Sequence, residues 1–434
     1  MESGVTVQIK LNSRLWPVLI GLLVLMQLIV PFRGWLILLV GLGGGWLVSY
    51  LWARSLGRGL RFIREVRFGW AQVGDRLEER FTLSNEGWAP ALWLEVVDHS
   101  TMPNYQAGRV TGVGGQSTNQ WQTHRVCTRR GLFTLGPTTL HCSDPFGLYS
   151  ITLFYPNFAT LTVTPPVVPL PTIEVAPGGQ AGQGRPRANP VERTVTAATV
   201  REYNPGDKLN WIHWPISAHR AALFVRLFDS TPAGDWWIFL DLDQQVQIAQ
   251  TEATTEEHGV ILAASLANQG LRWGHAVGLV AHAAEKLVWL PPQRGDSQRQ
   301  EILRALALVN PGPYSLAQLL ARTRPAVDQL ASLIIITPAV SGAWVEALLP
   351  LLRRGAVATV LLLDPVSFGG QGDLSGLLAL LTNLSITRSV ITADMLDRPE
   401  ARPGQQGTWE WRITPTGRAI AVRRPGNAPW KRLT

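Results

Sequence analysis

Residues 236–243 read Trp-Trp-Ile-Phe-Leu-Asp-Leu-Asp. A continuous apolar run of this kind is what a strand buried on both faces requires, so residues 236–242 are read as a core strand. Asp241 and Asp243 close it. In an open parallel sheet the carboxyl ends of the strands face the ligand crevice, so these two carboxylates stand where chemistry would be sought. The sequence downstream keeps the same rhythm. Residues 251–268 have helical periodicity and stop at Gly270. Residues 275–282 are strand-like, 299–308 helix-like, 333–337 a buried strand, 342–354 a helix and 356–363 a third core strand. This alternation predicts a doubly wound, mainly parallel α/β sheet. Residues 409–422 are expected to add a hairpin at its edge.

Immediately upstream lies the most distinctive block in the chain. It runs Val200-Arg201-Glu202-Tyr203-Asn204-Pro205-Gly206-Asp207, then Trp211-Ile212-His213-Trp214, Ser217-Ala218-His219 and Leu223-Phe224-Val225-Arg226. Asn204-Pro205-Gly206-Asp207 has turn chemistry: Pro presets φ and Gly permits a positive one. Asp207 can cap the segment that follows. Arg201 and Arg226 suit bidentate pairs with Asp207 or Asp229. The block is open to two readings. It is a structural clasp between two soluble domains, or a binding surface of Arg201, Tyr203, Pro205, Gly206, Asp207, Trp211, Trp214, Ser217 and Arg226. Residues 166–192, dense in Pro, Gly and Gln, form the linker before it. They lack the Gly-Lys-Ser/Thr of a phosphate loop.

Residues 61–165 have a different texture. Short runs at 76–83, 91–97, 123–127, 132–135 and 159–163 alternate with Gly, Asn, Asp and Pro turns, which predicts a β-sandwich-like domain. Asp144-Pro145-Phe146-Gly147-Leu148 reads as a turn with an aromatic anchor. Cys127 and Cys142 are read as free thiols in a reducing compartment. His141, Cys142 and Asp144 do not make a catalytic set, because neighbouring residues on a strand point to opposite faces.

The N-terminal residues 1–60 are read as a transmembrane hairpin. Residues 15–32 and 35–53 carry no charge, and each would run roughly 27–29 Å as a helix. That matches a hydrocarbon core about 30 Å thick. Arg33 and Gly34 are placed in the turn. Lys10 and Arg14 precede the first span, and Arg54, Arg58, Arg61, Arg64 and Arg67 follow the second, so both ends are expected on the cytoplasmic side. The protein is thus expected to be a multi-pass cell-membrane protein with cytoplasmic soluble domains. The five arginines recur about every third residue, which on a continued helix would give one basic face toward anionic lipid. This explains much of the net charge of +8 without nucleic acid, for which no module is recognisable. Gly41, Gly43, Gly44 and Gly45 are read as a helix-packing surface.

The order Arg-x-Tyr-x-Pro-Gly-Asp, Ile-x-Trp, Ser-Ala and Val-Arg resembles the bacterial and archaeal family of domain of unknown function 58. Arg130-Gly131, Leu135-Gly136-Pro137, the 144–148 turn and the paired N-terminal helices are similar to its upstream region. Asn210 and His219 depart from it, standing where the family commonly has Arg. The resemblance implies a von Willebrand factor A-like domain within residues 193–434. It also implies association with a MoxR-type AAA+ ATPase and other A-like proteins, in a chaperone-like rather than enzymatic role. A-like domains hold Mg²⁺ with Asp-x-Ser-x-Ser. Here the segment is Asp241-Leu242-Asp243-Gln244-Gln245, and Pro338-Ala339 replaces the next carboxylate. Asp241 and Asp243 are therefore a degenerate metal pair, and no cofactor is expected. His213, His219, His275 and His282 are read as packing or surface residues. The expected function is a membrane-anchored scaffold. The alternatives are an envelope hydrolase using Asp207 with His213 or His219, and a metal-dependent A-domain ligand binder.

Overall fold

The structure is a computed structural model. It describes residues 4–170, 173–176, 197–203, 214–220, 222–228, 234–249, 254–284, 286–324, 327, 331–396, 410–413, 419–423 and 430–433. The chain divides into two compact units, Met1–Pro165 with Pro399–Thr434, and Pro166–Arg398.

The first unit begins with β1 (Thr6–Leu11), α1 (Leu15–Ile29) and α2 (Arg33–Gly59). Ten strands follow: β2 (Leu60–Val66), β3 (Trp70–Gln72), β4 (Arg76–Asn85), β5 (Ala91–Asp98), β6 (Arg109–Val113), β7 (Ser117–Val126), β8 (Gly131–Leu135), β9 (Thr138–Ser143), β10 (Tyr149–Tyr155) and β11 (Ala159–Thr164). One sheet has the order β1-β10-β9-β5-β6, and a small one β3-β11-β8. Phe62, Phe81, Leu83 and Trp121 share one buried core with Leu94, Val96, Leu140, Ile151, Leu153 and Tyr155. The first four lie on β2, β4 and β7, the rest on β5, β9 and β10, so two antiparallel sheets pack face to face.

The two N-terminal helices differ from the sequence reading in their ends. α1 has 15 residues, fewer than the ~20 a straight span needs. α2 has 27, about 40 Å of helix. Arg33 and Gly34 open α2 instead of forming the turn, which falls at residues 30–32 because Pro31 carries no N–H for a helical bond. At its other end α2 runs past residue 53, and Ala53 and Leu56 are buried in the β core. From Leu36 to Leu51 its apolar side chains are largely exposed. α2 is long and apolar enough to cross a membrane.

The basic helical face does not form. The helix stops at Gly59, and Arg61, Arg64 and Arg67 fall on or just after β2, where the period is two. Arg64 shares the inward phase with Leu60, Phe62 and Val66. Its guanidinium meets both Glu79 oxygens (2.7 and 3.0 Å) and Asp98 Oδ1 (2.6 Å). Arg67 pairs with Glu78 at 2.7 Å. The turn at 144–148 is also rearranged. Phe146 is 64% exposed, and Leu148 is the buried residue. Buried Asp144 organises the turn by accepting from the Phe146 and Tyr149 N–H groups. Gly147 sits at φ +67°, where a side chain would be strained. Cys127 and Cys142 are free and buried, and burial pushes both thiols up to about 12.

The second unit starts with a two-stranded ribbon of β12 (Ala197–Glu202) and β13 (Phe224–Phe228), with α3 (Trp214–Arg220) between them. Then come β14 (Trp236–Leu240), α4 (Thr255–Arg272), β15 (Val277–His282), β16 (Leu287–Gln293), α5 (Asp296–Leu308), α6 (Leu316–Thr323), β17 (Ser332–Thr337), α7 (Ala343–Leu352), β18 (Val357–Leu363), α8 (Ser375–Asn383) and β19 (Thr387–Ile391). Six strands join in the order β16-β15-β14-β17-β18-β19. All pair in parallel except β16 with β15. One face is covered by α4 and α5 through Val260, Leu262, Ile302 and Leu306. The other is covered by α6, α7 and α8 through Leu320, Trp344, Leu348 and Leu377. This is the doubly wound sheet that the apolar runs predict. The linker also contributes: Val168 and Ile173 are buried in the same core.

The chain ends with β20 (Glu410–Ile413), β21 (Ala419–Arg423) and β22 (Lys431–Arg432). β20 and β21 pair as the expected hairpin, but as a two-stranded sheet of their own, not at the edge of the six-stranded one. β22 returns to the first unit in a sheet of order β22-β2-β4-β7. Trp430 lies between the guanidinium groups of Arg67 and Arg80, at 4.7 and 4.3 Å.

Candidate functional site

The sheet winds outward in opposite directions from β14, to β15 on one side and to β17 on the other. The crevice beyond the carboxyl ends of β14 and β17 is therefore its switch point, the usual ligand position in such folds. β14 delivers Asp241 to that crevice and β17 delivers Thr337. Both side chains are buried. Asp241 N–H donates to Ile336 O at 2.9 Å, extending the ladder by one step. The Thr337 hydroxyl donates to Asp241 Oδ2 at 2.6 Å and accepts from Ala339 N–H at 3.0 Å.

The loop after Asp241 is then closed by its own hydrogen bonds. Asp241 Oδ1 accepts from Asp243 N–H (3.1 Å), and Asp243 Oδ1 from Gln245 N–H (2.9 Å). Gln247 Nε2 donates to Asp241 O (2.9 Å) while its Oε1 accepts from Thr255 at the start of α4 (2.7 Å). Gly312 bridges from the far side, donating to Leu242 O and accepting from Gln244 N–H. Burial pushes the Asp241 carboxyl up to about 6, against the pull of Thr337 and the Asp243 amide.

The structure thus brings Asp241 and Asp243 together as read from the sequence, and adds Thr337 and Gln247. An octahedral Mg²⁺ needs six oxygens, some of them water. Here both Asp241 oxygens accept loop hydrogen bonds, the Thr337 proton faces Asp241, and Asp243 Oδ1 accepts from the Gln245 N–H. The set does not fit a cation cage without dismantling the loop. Among the described residues no group of three acidic, His or Cys side chains is placed to hold a metal.

The motif block is described in part. β12 and β13 pair with Val200 opposite Arg226 and Arg201 opposite Val225. Tyr203 N–H donates to Leu223 O at 2.8 Å, prolonging the ribbon. Ser217 is buried and accepts from Phe224 N–H at 2.9 Å, fastening α3 to β13. Trp214 opens α3 and is largely exposed. Pro205, Gly206, Asp207, Trp211 and His213 lie outside the described residues, as does Asp229. Of the other histidines, His219 is exposed. His275 stacks on Trp236 at 4.7 Å, with burial lowering its pKa. His282 is buried against Tyr314.

The sequence reading missed the buried Arg64–Glu79–Asp98 group. Its signal was present in the alternation Leu60, Phe62, Arg64, Val66, where a charged residue stands in the inward phase.

Comparison with known proteins matches residues 199–368 to the family described as "Protein of unknown function DUF58". The chain is also similar to the uncharacterized protein YeaD of Bacillus subtilis (strain 168), at 29% identity over 114 residues, 26% of each protein. The match thus spans about a quarter of that relative. Among solved structures, the CARDB domain of the PF1109 protein from Pyrococcus furiosus aligns over 24% of this chain and 90% of its own at TM-score 0.18 and 10% identity. Proximal thread matrix protein 1 from the mussel byssus aligns over 37% and 43% at TM-score 0.26 and 13% identity. Likenesses at these scores carry no weight for the fold.

Proposed function

We propose, since the chain belongs to the DUF58 family of proteins of unknown function, that it is a membrane-anchored, non-enzymatic interaction protein. The observation that carries this reading is α2. Its first part is apolar and exposed from Leu36 to Leu51, while its last turns are built into the β core through Ala53 and Leu56. A helix of that kind joins a bilayer to a folded unit without a flexible joint. Lys10, Arg14, Arg54 and Arg58 are exposed around the same end, which favours a cytoplasmic position for both units.

In this reading α1 and α2 form the membrane hairpin. The doubly wound unit acts as a von Willebrand factor A-like module that docks a MoxR-type AAA+ ATPase, alongside other A-like proteins. The hydrogen-bonded closure of the Asp241 loop supports docking through shape rather than through a bridging cation. The test is capture by the full chain in lipid nanodiscs, incubated with host lysate with and without Mg²⁺ and ATP. Recovery of an AAA+ ATPase supports the scaffold. If the folded, bilayer-embedded chain recovers no ATPase in any condition, the partner assignment is wrong.

A further inference from the structure

The β unit carries two uncharged turns that each expose large apolar side chains. Residues 87–93 read Gly-Trp-Ala-Pro-Ala-Leu-Trp, and residues 145–148 read Pro-Phe-Gly-Leu. Trp88 is 58% exposed, Leu92 68%, Trp93 49% and Phe146 64%. Scattered single hydrophobics on a surface need no explanation, but these are grouped and their position is not arbitrary. The pairing of β5 with β6 shifts register between Ala91 and Leu94. The irregularity leaves Leu92 and Trp93, two consecutive residues, both exposed, where a regular strand would turn one of them inward.

Each turn is fastened to the chain where the exposed apolar band of the helices ends. Trp52 lies one residue beyond exposed Leu51 on α2. Its indole stacks edge-on with Trp88 at 5.4 Å, and its Nε1 donates to Pro90 O at 3.1 Å. On the other side, Asn12 lies three residues before α1. It donates from its backbone N–H to Leu148 O (2.8 Å) and from Nδ2 to Gly147 O (2.9 Å). Tyr50 of α2 packs against Tyr149, the residue after that turn, at 5.9 Å. The two turns therefore flank the helices at one level, the level at which α1 begins and α2 enters the β core.

We propose that the exposed side chains of Trp88, Leu92, Trp93 and Phe146 are seated in the interfacial layer of the phospholipid bilayer, so that the β unit lies on the membrane surface. This rests on the reading of α2 as a membrane span. The chemistry suits that layer. Tryptophan and other aromatics favour the headgroup level, where an apolar ring and a polar edge are both satisfied. The exposed cations Lys10, Arg14, Arg54 and Arg58 on the same segments complement anionic headgroups. A water-facing role would leave two tryptophans, a leucine and a phenylalanine exposed beside an apolar helix, which soluble surfaces avoid.

The experiment uses the full chain in vesicles of phosphatidylethanolamine and phosphatidylglycerol. Leu92→Cys, Phe146→Cys, Leu38→Cys and Trp70→Cys are each labelled with an environment-sensitive fluorophore. The native cysteines are buried and stay unlabelled. Leu38 is exposed on α2 and reports the span itself. Trp70, 53% exposed, lies beyond the far end of β2, about 20 Å of strand from the helix. Brominated lipids carry the quencher near the headgroup or near the chain end. The expected result is that labels at 92 and 146 lose roughly half their fluorescence to the shallow quencher, as interfacial insertion requires. The label at 38 should respond to the deep quencher and the label at 70 to neither. Quenching at 38 with none at 92 and 146 overturns this inference and leaves the membrane span standing, as when a protein partner covers the patch. Equal quenching at 70 overturns it too. No quenching at 38 removes the span and the inference together.

Discussion

The Thr337 hydroxyl donates to Asp241 Oδ2 across 2.6 Å and so ties the carboxyl ends of β17 and β14. These are the strands between which the winding of the sheet reverses. Thr337→Val keeps the shape and removes the donor, leaving a buried carboxyl oxygen without its partner. The expected cost is about 1–3 kcal/mol of stability, read as a lowered denaturant midpoint for the second unit.

The same carboxyl makes stability depend on pH. Asp241 is pushed from 3.8 up to about 6 on folding, chiefly by burial. Below about pH 4 both states are protonated and its contribution is fully present. Between about pH 4 and 6 the unfolded chain ionises first, so stability falls by up to ~3 kcal/mol and stays lower above that window. Asp241→Asn does not ionise. Its unfolding midpoint should therefore gain on that of the wild type as pH rises from 4 to 7. Parallel midpoint curves for the two proteins would contradict the assignment.

Glu79 is fully buried and gives both oxygens to Arg64. Burial pushes its carboxyl up, and the guanidinium opposes this. Glu79→Ala leaves a buried cation short of its bidentate partner and is expected to cost about 3–5 kcal/mol. The check is chemical denaturation of the first unit, with Glu78→Ala on the more exposed neighbouring pair as the mild control.

Gly59 ends α2 against the turn at Gly87. A Cβ at Gly59 would lie 2.4 Å from Gly87 N and 2.8 Å from its Cα. Both are backbone atoms that cannot swing aside. Gly59→Ala should therefore destabilise by about 1–3 kcal/mol through overpacking, although alanine is the better helix former. A gain in thermal midpoint would show that the turn can withdraw.

Trp430→Ala removes the ring held between Arg67 and Arg80. Two cation–π contacts are worth about 1–2 kcal/mol together at a half-buried site. The variant should lose its C-terminal residues to carboxypeptidase faster, with the rest of the first unit unchanged. Equal digestion rates would mean that Leu433 and the β2 pairing hold the strand without it.

The second unit was largely legible because its strands are buried on both faces. Residues 236–242 and 333–337 need no partner information to be read as core. The first unit was read less well, because its half-buried strands mix phases. The arginines at 58, 61, 64 and 67 imitate a helical period, and the helix end at Gly59 depends on a close approach to Gly87 that no local pattern announces. β1 and β22 were invisible for a related reason: each is an edge strand whose partners lie far away in sequence. At the site, Asp241 and Asp243 announced themselves by following a core strand. Thr337 became meaningful only when the sheet order set β17 beside β14.

β22 completes a sheet begun by β2, and the whole α/β unit is encoded between them. During synthesis the second unit emerges in full before the last strand of the first is available. The β unit must therefore wait, one edge open, while its neighbour folds. A truncation at residue 398 would remove β22 and so disturb a unit whose other strands are encoded more than 200 residues earlier.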